Sequence, residues 1–298
     1  MPDIIATLIS IHSRPVLLML SIILATSILP TCEAGPRVPN PATRTAAPAI
    51  ARVTIIAQDD TCEMPGSVPA GLAAIKLVNA GRQPHQATLA RLNAGTQLNQ
   101  VQALLQSSAL MTSPRLTFVG GPATIQPGAS QEVLLLLAPG QYVALCFVPG
   151  PDRLAHITTG LIASFTVTPD SYWKREGVPG QHLAVTLKDY SIGMPASITT
   201  EPIMVQVTNT GQQPHEMQLA RLALGVTKQD VLAFSAAPAA KQPPFELMGG
   251  MGTLAPGTTG WVMLHLAPGN YVALCSIPAP ATNTAHLFLG MIASFSAQ

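Results

Sequence analysis

Short apolar runs separated by turn residues recur along the chain. In the first half these runs span residues 53–57, 73–78, 87–92 and 133–137. Runs of this length, with Pro-Gly and Asn-x-Gly turns between them, are typical of short strands in a Greek-key sandwich or barrel. One segment in each half instead has apolar residues at helical spacing, with Thr96 and Thr227 as candidate N-caps. The pattern predicts an all-β fold with one short helix in each half.

The same pattern occurs twice in the sequence. An Asn-x-Gly-x-Gln-Pro-His segment, a Gly-x-Tyr-Val-Ala-Leu-Cys segment and a later His each recur about 130 positions further along the chain. A repeat of this length predicts two domains, which we place at residues 48–168 and 183–298 with a linker at 169–182. Because the linker is short and contains Tyr172 and Trp173, we expect the two domains to pack together.

Residues 1–35 have the pattern of a secretory signal peptide. Arg14 precedes an apolar stretch that is short for a membrane span, which needs about 20 apolar residues. Residues 36–47 are rich in Pro, Ala and Thr and predict a flexible tether. We therefore expect an exported protein, periplasmic or extracellular, whose mature chain has no transmembrane domain. A membrane tether at the N-terminus, through an uncleaved segment or a lipid on Cys32, is the alternative.

The charge balance narrows the range of partners. Charged residues make up 10% of the chain and the formal net charge is +1. This balance gives no basic surface for nucleic acid, so we expect no nucleic-acid partner. The sequence also contains no Gly-rich phosphate loop and no Gly-x-Ser-x-Gly element, two of the common catalytic motifs.

Each copy carries a His after its Asn-x-Gly turn, a Cys at the end of a strand and a second His in the next loop. These residues are His85, Cys146 and His156 in the first copy and His215, Cys275 and His286 in the second. Imidazole and thiolate donors suit copper and zinc. Met291 lies five positions after the last His, and Leu161 holds that place in the first copy. Zinc is the competing metal, although a thioether is a poor zinc ligand.

This order of residues resembles that of the cupredoxins, the blue copper proteins. The resemblance covers residues 48–167 and 183–298, and it includes the turn before the first His, the Gly-x-Tyr strand before the Cys and the Gly-Met step before the last strand. It implies two Greek-key β-sandwich domains and one-electron transfer to or from an unidentified redox partner protein. The loops between Cys and second His, 10 and 11 positions long, are longer than in plastocyanin-like members.

The resemblance also implies ligand sets for copper. In the second copy the implied ligands are His215, Cys275, His286 and the axial Met291, and in the first copy they are His85, Cys146 and His156. The apolar Leu161 would leave the first copper without an axial sulfur, which favours Cu(I) and a higher potential. It is equally compatible with a site that has decayed.

Multicopper oxidases and copper nitrite reductases also use cupredoxin domains in tandem, and they need further histidines. Outside the implied ligands this chain has only His12, His182 and His265, with no His-x-His pair. On that ground we expect the protein not to be an enzyme. Two alternatives to electron transfer stay open: a binding or structural module without a functional metal, and a copper carrier or buffer.

Overall fold

A computed structural model describes residues 50–298 except 106, 151–153, 160–161, 171–177, 179 and 238–241. The predicted signal peptide, the tether, Leu161 and the Tyr172-Trp173 pair lie outside the described residues. The described residues fall in one compact unit. The domain boundaries therefore stay a prediction, and the strands are described copy by copy.

The first copy begins with a strand and ends with one. Its strands are β1 (Ala51–Ala57), β2 (Cys62–Glu63), β3 (Ser67–Pro69), β4 (Gly71–Asn79), β5 (Thr88–Leu92), β6 (Leu116–Gly120), β7 (Ser130–Leu137), β8 (Gly140–Leu145) and β9 (Ile162–Thr168). Helix α1 spans Leu98–Gln102, and 3₁₀ turns cover Ser108–Thr112 and His156–Thr159. The N-cap is Gln97 and not the predicted Thr96, because the Gln97 N–H donates to the Gln100 side chain at 2.9 Å.

The second copy repeats this order. Its strands are β10 (Leu183–Lys188), β11 (Ser191–Gly193), β12 (Ser197–Ile198), β13 (Ile203–Asn209), β14 (His215–Leu222), β15 (Phe245–Leu254), β16 (Thr259–Leu264), β17 (Gly269–Leu274) and β18 (Ile292–Ala297). Helix α2 spans Lys228–Ala236, and a 3₁₀ turn covers His286–Leu289. The predicted cap is confirmed, since Thr227 and Asp230 exchange backbone and side-chain hydrogen bonds. Among the described residues no helix has the length and apolar character needed to cross a membrane.

Two sheets run through both copies. The 8-stranded sheet has the order β11-β10-β13-β16-β7-β4-β1-β2, and the 10-stranded sheet has the order β12-β18-β17-β14-β15-β6-β5-β8-β9-β3. The copies join where β16 pairs with β7 and where β15 pairs with β6, both antiparallel. The two copies therefore pack together, as the short linker predicted, and the predicted all-β sandwich architecture is confirmed.

The core has equivalent aromatic pairs in the two copies. Tyr142 stacks on Phe165 with ring centroids 5.2 Å apart, and Tyr271 stacks on Phe295 at 5.4 Å. Each tyrosine hydroxyl donates to a backbone carbonyl four residues earlier at 2.8 Å. Since a buried hydroxyl needs a hydrogen-bond partner, this contact holds each tyrosine ring in one position within the core. It thereby anchors β8 and β17, the two strands that lead directly to the cysteines.

Candidate metal centres

The structure brings together the three residues singled out in the first copy. His85 precedes β5, Cys146 directly follows β8, and His156 begins a 3₁₀ turn. The Cys146 Sγ lies 3.7 Å from His85 Nδ1 and 3.5 Å from His156 Nδ1. Both imidazoles therefore present the same ring nitrogen, Nδ1, to the thiol.

The second copy repeats this arrangement, with ring centroids 4.8 Å apart against 4.7 Å in the first copy. The Cys275 Sγ lies 4.0 Å from His215 Nδ1 and 3.4 Å from His286 Nδ1, and the two Nδ1 atoms are 3.1 Å apart. In each copy one donor atom from each residue lies within 4.8 Å of the other two. All six residues are buried. Two imidazole nitrogens and one sulfur thus converge at a buried point in each copy.

Met291 is tied to two of these residues through its backbone. Its N–H donates to the His286 carbonyl at 2.9 Å, and its carbonyl accepts from the Cys275 N–H at 3.1 Å. The Met291 side chain is fully buried. Its counterpart in the first copy, Leu161, lies outside the described residues, so the comparison at this position rests on the sequence.

An aspartate that the sequence analysis did not single out lies behind the first imidazole of each copy. His215 Nε2 is 2.7 Å from Asp189 Oδ1, a hydrogen bond, whereas His85 Nε2 is 3.6 Å from Asp59 Oδ1. A carboxylate at Nε2 holds the ring proton there and leaves the Nδ1 lone pair facing the cysteine. Asp59 and Asp189 hold equivalent positions in the repeat, which is the sequence signal that could have identified them.

The two aspartates differ in their other partners. Asp59 accepts from the Arg82 backbone N–H at 2.7 Å and from Arg82 Nε at 3.1 Å, and these contacts lower the Asp59 pKa to about 2. Gln212 replaces Arg82 in the second copy and offers only its backbone N–H. The carboxylate of Asp189 is therefore shared between the turn and His215, while Asp59 is held by an arginine. His85 Nε2 has no hydrogen-bond partner among the described residues.

The glutamine of each Gln-Pro-His segment holds the second imidazole. Gln83 Oε1 lies 3.2 Å from His156 Nε2, and Gln213 Oε1 lies 3.1 Å from His286 Nε2. In the second copy the Gln213 amide also donates to the Tyr190 hydroxyl at 2.9 Å. The Tyr190 ring meets the His286 ring edge-on, with centroids 5.5 Å apart. Both Nε2 atoms therefore face oxygen acceptors, and both Nδ1 atoms face sulfur.

The glycine of each Asn-x-Gly turn leaves room for the aspartate and the first imidazole. A Cβ atom on Gly81 would lie 2.9 Å from His85 Nε2, and one on Gly211 would lie 2.8 Å from His215 Nε2. Any larger residue would therefore push the ring out of position. The preceding asparagine closes the turn, because Asn209 Nδ2 donates to the Gln213 carbonyl at 2.8 Å.

Burial sets the protonation of these groups in the metal-free protein. It lowers the pKa of His85 and His215, and together with the nearby His215 charge it lowers the pKa of His286 to about 4. Burial also raises the pKa of Cys146 and Cys275. The imidazoles of His85, His215 and His286 are therefore neutral and ready to donate at pH 7, while each thiol must lose a proton to become a ligand.

Comparison with solved structures finds matches of low sequence identity. Reduced auracyanin from Roseiflexus castenholzii is 20% identical, with a TM-score of 0.31 over 41% of this chain and 99% of that chain. A Cu-containing nitrite reductase from Thermus scotoductus is 12% identical, with a TM-score of 0.23 over 84% of this chain and 62% of that chain. The multicopper oxidase McoA from Aquifex aeolicus is 11% identical, with a TM-score of 0.26 over 84% of this chain and 66% of that chain. No protein-family model and no curated protein matches the sequence.

Each copy combines an all-β sandwich with a His, Cys and His group in the predicted order. The fold is cupredoxin-like. The matched structures that span both copies are named as a nitrite reductase and a multicopper oxidase, which are enzymes. The expectation that the protein is not an enzyme is therefore contradicted. It rested on a missing His-x-His pair, and the absence of one motif from one chain is too weak a ground to exclude catalysis.

The residues of both cupredoxin-like sites fit copper. Each site offers two imidazoles and one thiol, all buried. The soft sulfur and the borderline nitrogens hold both Cu(I) and Cu(II). The described cysteines, Cys62, Cys146 and Cys275, are all free thiols, so no disulfide removes either sulfur.

Proposed function

We propose that this protein binds copper in type 1 centres and transfers single electrons. The observation that carries the proposal is the convergence of two Nδ1 atoms and one Sγ atom in each copy, all within 4.8 Å. In the second copy His215, Cys275 and His286 would hold the metal, with Met291 as the axial ligand. In the first copy His85, Cys146 and His156 would do so. Copper, when bound, supplies the one-electron couple between Cu(I) and Cu(II).

The surroundings of the ligands favour electron transfer because they resist rearrangement. Three of the four imidazoles are held at the outer nitrogen: His156 by Gln83, His286 by Gln213 and His215 by Asp189. Both cysteines follow strands anchored in the core by Tyr142 and Tyr271. A donor set that keeps its positions in both oxidation states lowers the reorganisation needed for each transfer.

We further propose that the two centres have unequal potentials. Leu161 replaces Met291 at the axial position, which favours Cu(I) in the first copy. The residues that contact the outer nitrogens of the imidazoles support the same difference in potential. Arg82 binds Asp59, so less negative charge reaches His85 than Asp189 provides to His215. The imidazole of the first copy should therefore be the weaker donor toward Cu(II).

Residues 1–35 support export, and the proposed location is the periplasm or the extracellular space. A redox protein there would exchange electrons with a soluble or membrane-bound partner protein. The 36–47 segment would tether the copper domains if the N-terminus stays at the membrane.

The test is a Cu(II) titration of the purified protein, followed by visible absorption and EPR. We expect an intense blue band with a narrow copper hyperfine splitting. Cys275→Ser should remove the signal of the second centre and Cys146→Ser that of the first. Cys62→Ser is the matched control and should keep both, because Cys62 belongs to neither ligand group.

The outcomes separate the candidate functions. Reversible redox cycling with both metals retained supports electron transfer. Ready loss of Cu(I) to a chelator would instead support copper carriage. A colourless protein that retains no copper would contradict the proposal and leave a binding module.

A further inference from the structure

A cavity of about 480 Å³ lies between the two copies, beside the loops that follow the two cysteines. Small-molecule sites in proteins span about 300–1,000 Å³, so the cavity has the size of a binding site. Its apolar wall comes from both copies and includes Leu110, Met111, Phe147, Ile157, Leu247 and Ile277. An apolar wall of this kind favours an occupant with a largely apolar surface.

Glu216 gives the cavity one polar corner. This residue follows His215, lines the cavity and is only 7% exposed. Its Oε1 accepts from the Ser276 backbone N–H at 3.1 Å and from the Ser276 hydroxyl. Among the described residues no hydrogen bond reaches its Oε2. This oxygen is not among the buried polar atoms that lack a partner, so it is open to the cavity and can accept a hydrogen bond from an occupant that brings a donor.

The equivalent position in the first copy is already satisfied. Gln86 replaces Glu216 there, and its Oε1 accepts from the Thr124 hydroxyl at 2.9 Å. Gln86 and Thr124 also line the cavity. The acceptor without a donor, Glu216 Oε2, therefore lies on the side of the second copy. A hydrogen bond to it would orient the occupant in the cavity.

We propose that this cavity binds a small, mainly apolar molecule of about the size of a fused aromatic ring, which donates one N–H or O–H to Glu216 Oε2. The apolar wall supplies the affinity and the carboxyl oxygen supplies the selectivity. The proposed metal ligands do not line the cavity, but Glu216 and Ser276 directly follow two of them, and the Glu216 backbone N–H donates to Cys275 Sγ at 3.5 Å.

Two probes of the same shape test the proposal. Indole has a ring N–H that only donates, and indene lacks it. Both are titrated into the full chain without metal, and binding is measured by calorimetry. We expect saturable 1:1 binding of indole and several-fold weaker binding of indene, because indene cannot make the hydrogen bond to Glu216 Oε2.

Three variants complete the test. In Glu216→Gln an amide NH₂ replaces Oε2. The affinity of this variant for indole should therefore fall to its affinity for indene. Leu247→Trp places a larger side chain in the wall of the cavity and should weaken the binding of both probes. Leu224→Trp, at an exposed residue outside the cavity, should leave binding unchanged. Absence of saturable indole binding, or an indole affinity that Leu247→Trp leaves unchanged, would overturn the site. Equal affinities for indole and indene would overturn the role of Glu216.

Discussion

Asp189 Oδ1 lies 2.7 Å from His215 Nε2, and this contact distinguishes the second centre from the first. The equivalent distance, from Asp59 Oδ1 to His85 Nε2, is 3.6 Å. Burial would raise the pKa of Asp189, but hydrogen bonds from His215 and from the backbone of the turn hold it below its ordinary value. The carboxylate is therefore ionised at neutral pH and strengthens the His215 imidazole as a donor.

Removing that charge should weaken copper binding in the second centre. Asp189→Asn keeps an oxygen acceptor and removes the negative charge, and we expect a loss in copper affinity of about 10–100-fold at this site. The measurement is competition with a chelator of known affinity. Asp59→Asn is the matched change, and its effect should be smaller because Asp59 makes no hydrogen bond to His85. Equal losses in the two variants would contradict the importance of the shorter contact.

The grouping of ligands could be predicted from sequence because their spacing and strand context are local. Cys146 and Cys275 each end a strand that begins with a Pro-Gly turn, and the duplication repeats that context. The repeat marks Asp59 and Asp189 as equivalent residues, but it does not show that Asp189 contacts His215. Asp189 follows β10, which pairs in parallel with β13, and β13 leads into the turn before His215. Only the pairing of these two strands brings the carboxylate to the ring.

The continuity of the sheets is a second feature that the sequence does not reveal. The contact between β15 and β6 joins Leu254 to Val119, and the contact between β16 and β7 includes the pair Trp261 and Leu134. These strands are apolar within each copy, and a pattern of apolar positions does not specify which edge a strand will pair with. The short linker predicted contact between the copies but not shared hydrogen bonds.

The axial position is tested by Met291→Leu, which gives the second copy the residue found at position 161. Losing the thioether should favour Cu(I) and raise the midpoint potential of the second centre. We expect a rise of at least about 59 mV, which corresponds to a tenfold change in relative affinity for the two oxidation states. Met251→Leu, an equally buried methionine outside the ligand groups, is the control for redox titration. An unchanged potential in Met291→Leu would refute the axial assignment.

The pKa of His286 predicts how the metal-free protein responds to acid. Burial lowers this pKa from 6.5 to about 4, so protonation is harder in the folded state than in the unfolded chain. Between these two values the unfolded state binds more protons, and the free energy of unfolding should fall as the pH falls. Urea unfolding from pH 7 to pH 4.5 measures this slope.

His286→Gln should make the same curve shallower, because the variant has no imidazole to protonate at this position. His265→Gln changes an exposed histidine and should reproduce the wild-type curve. A wild-type slope in His286→Gln would show that other groups cause the acid sensitivity.

Gln218 links the two copies and should contribute to the stability of both. Its Oε1 accepts from the Thr124 N–H at 2.8 Å, and its Nε2 donates to the carbonyls of Thr124 and Gly249 at 3.1 and 2.9 Å. Gln218→Ala would leave the buried Thr124 N–H without its acceptor, although the Thr124 carbonyl keeps the hydrogen bond from the Gly249 N–H, so we expect a loss of about 1–3 kcal/mol in the free energy of unfolding. Gln229→Ala, on the exposed face of α2, should change stability by less than about 0.5 kcal/mol. Denaturant unfolding compares the two variants. The Gln218 side chain also connects the second copy to Thr124 of the first copy. If the copies can unfold separately, Gln218→Ala should split the denaturant unfolding transition into two. A single transition at the wild-type denaturant concentration would contradict the role of Gln218 as a link.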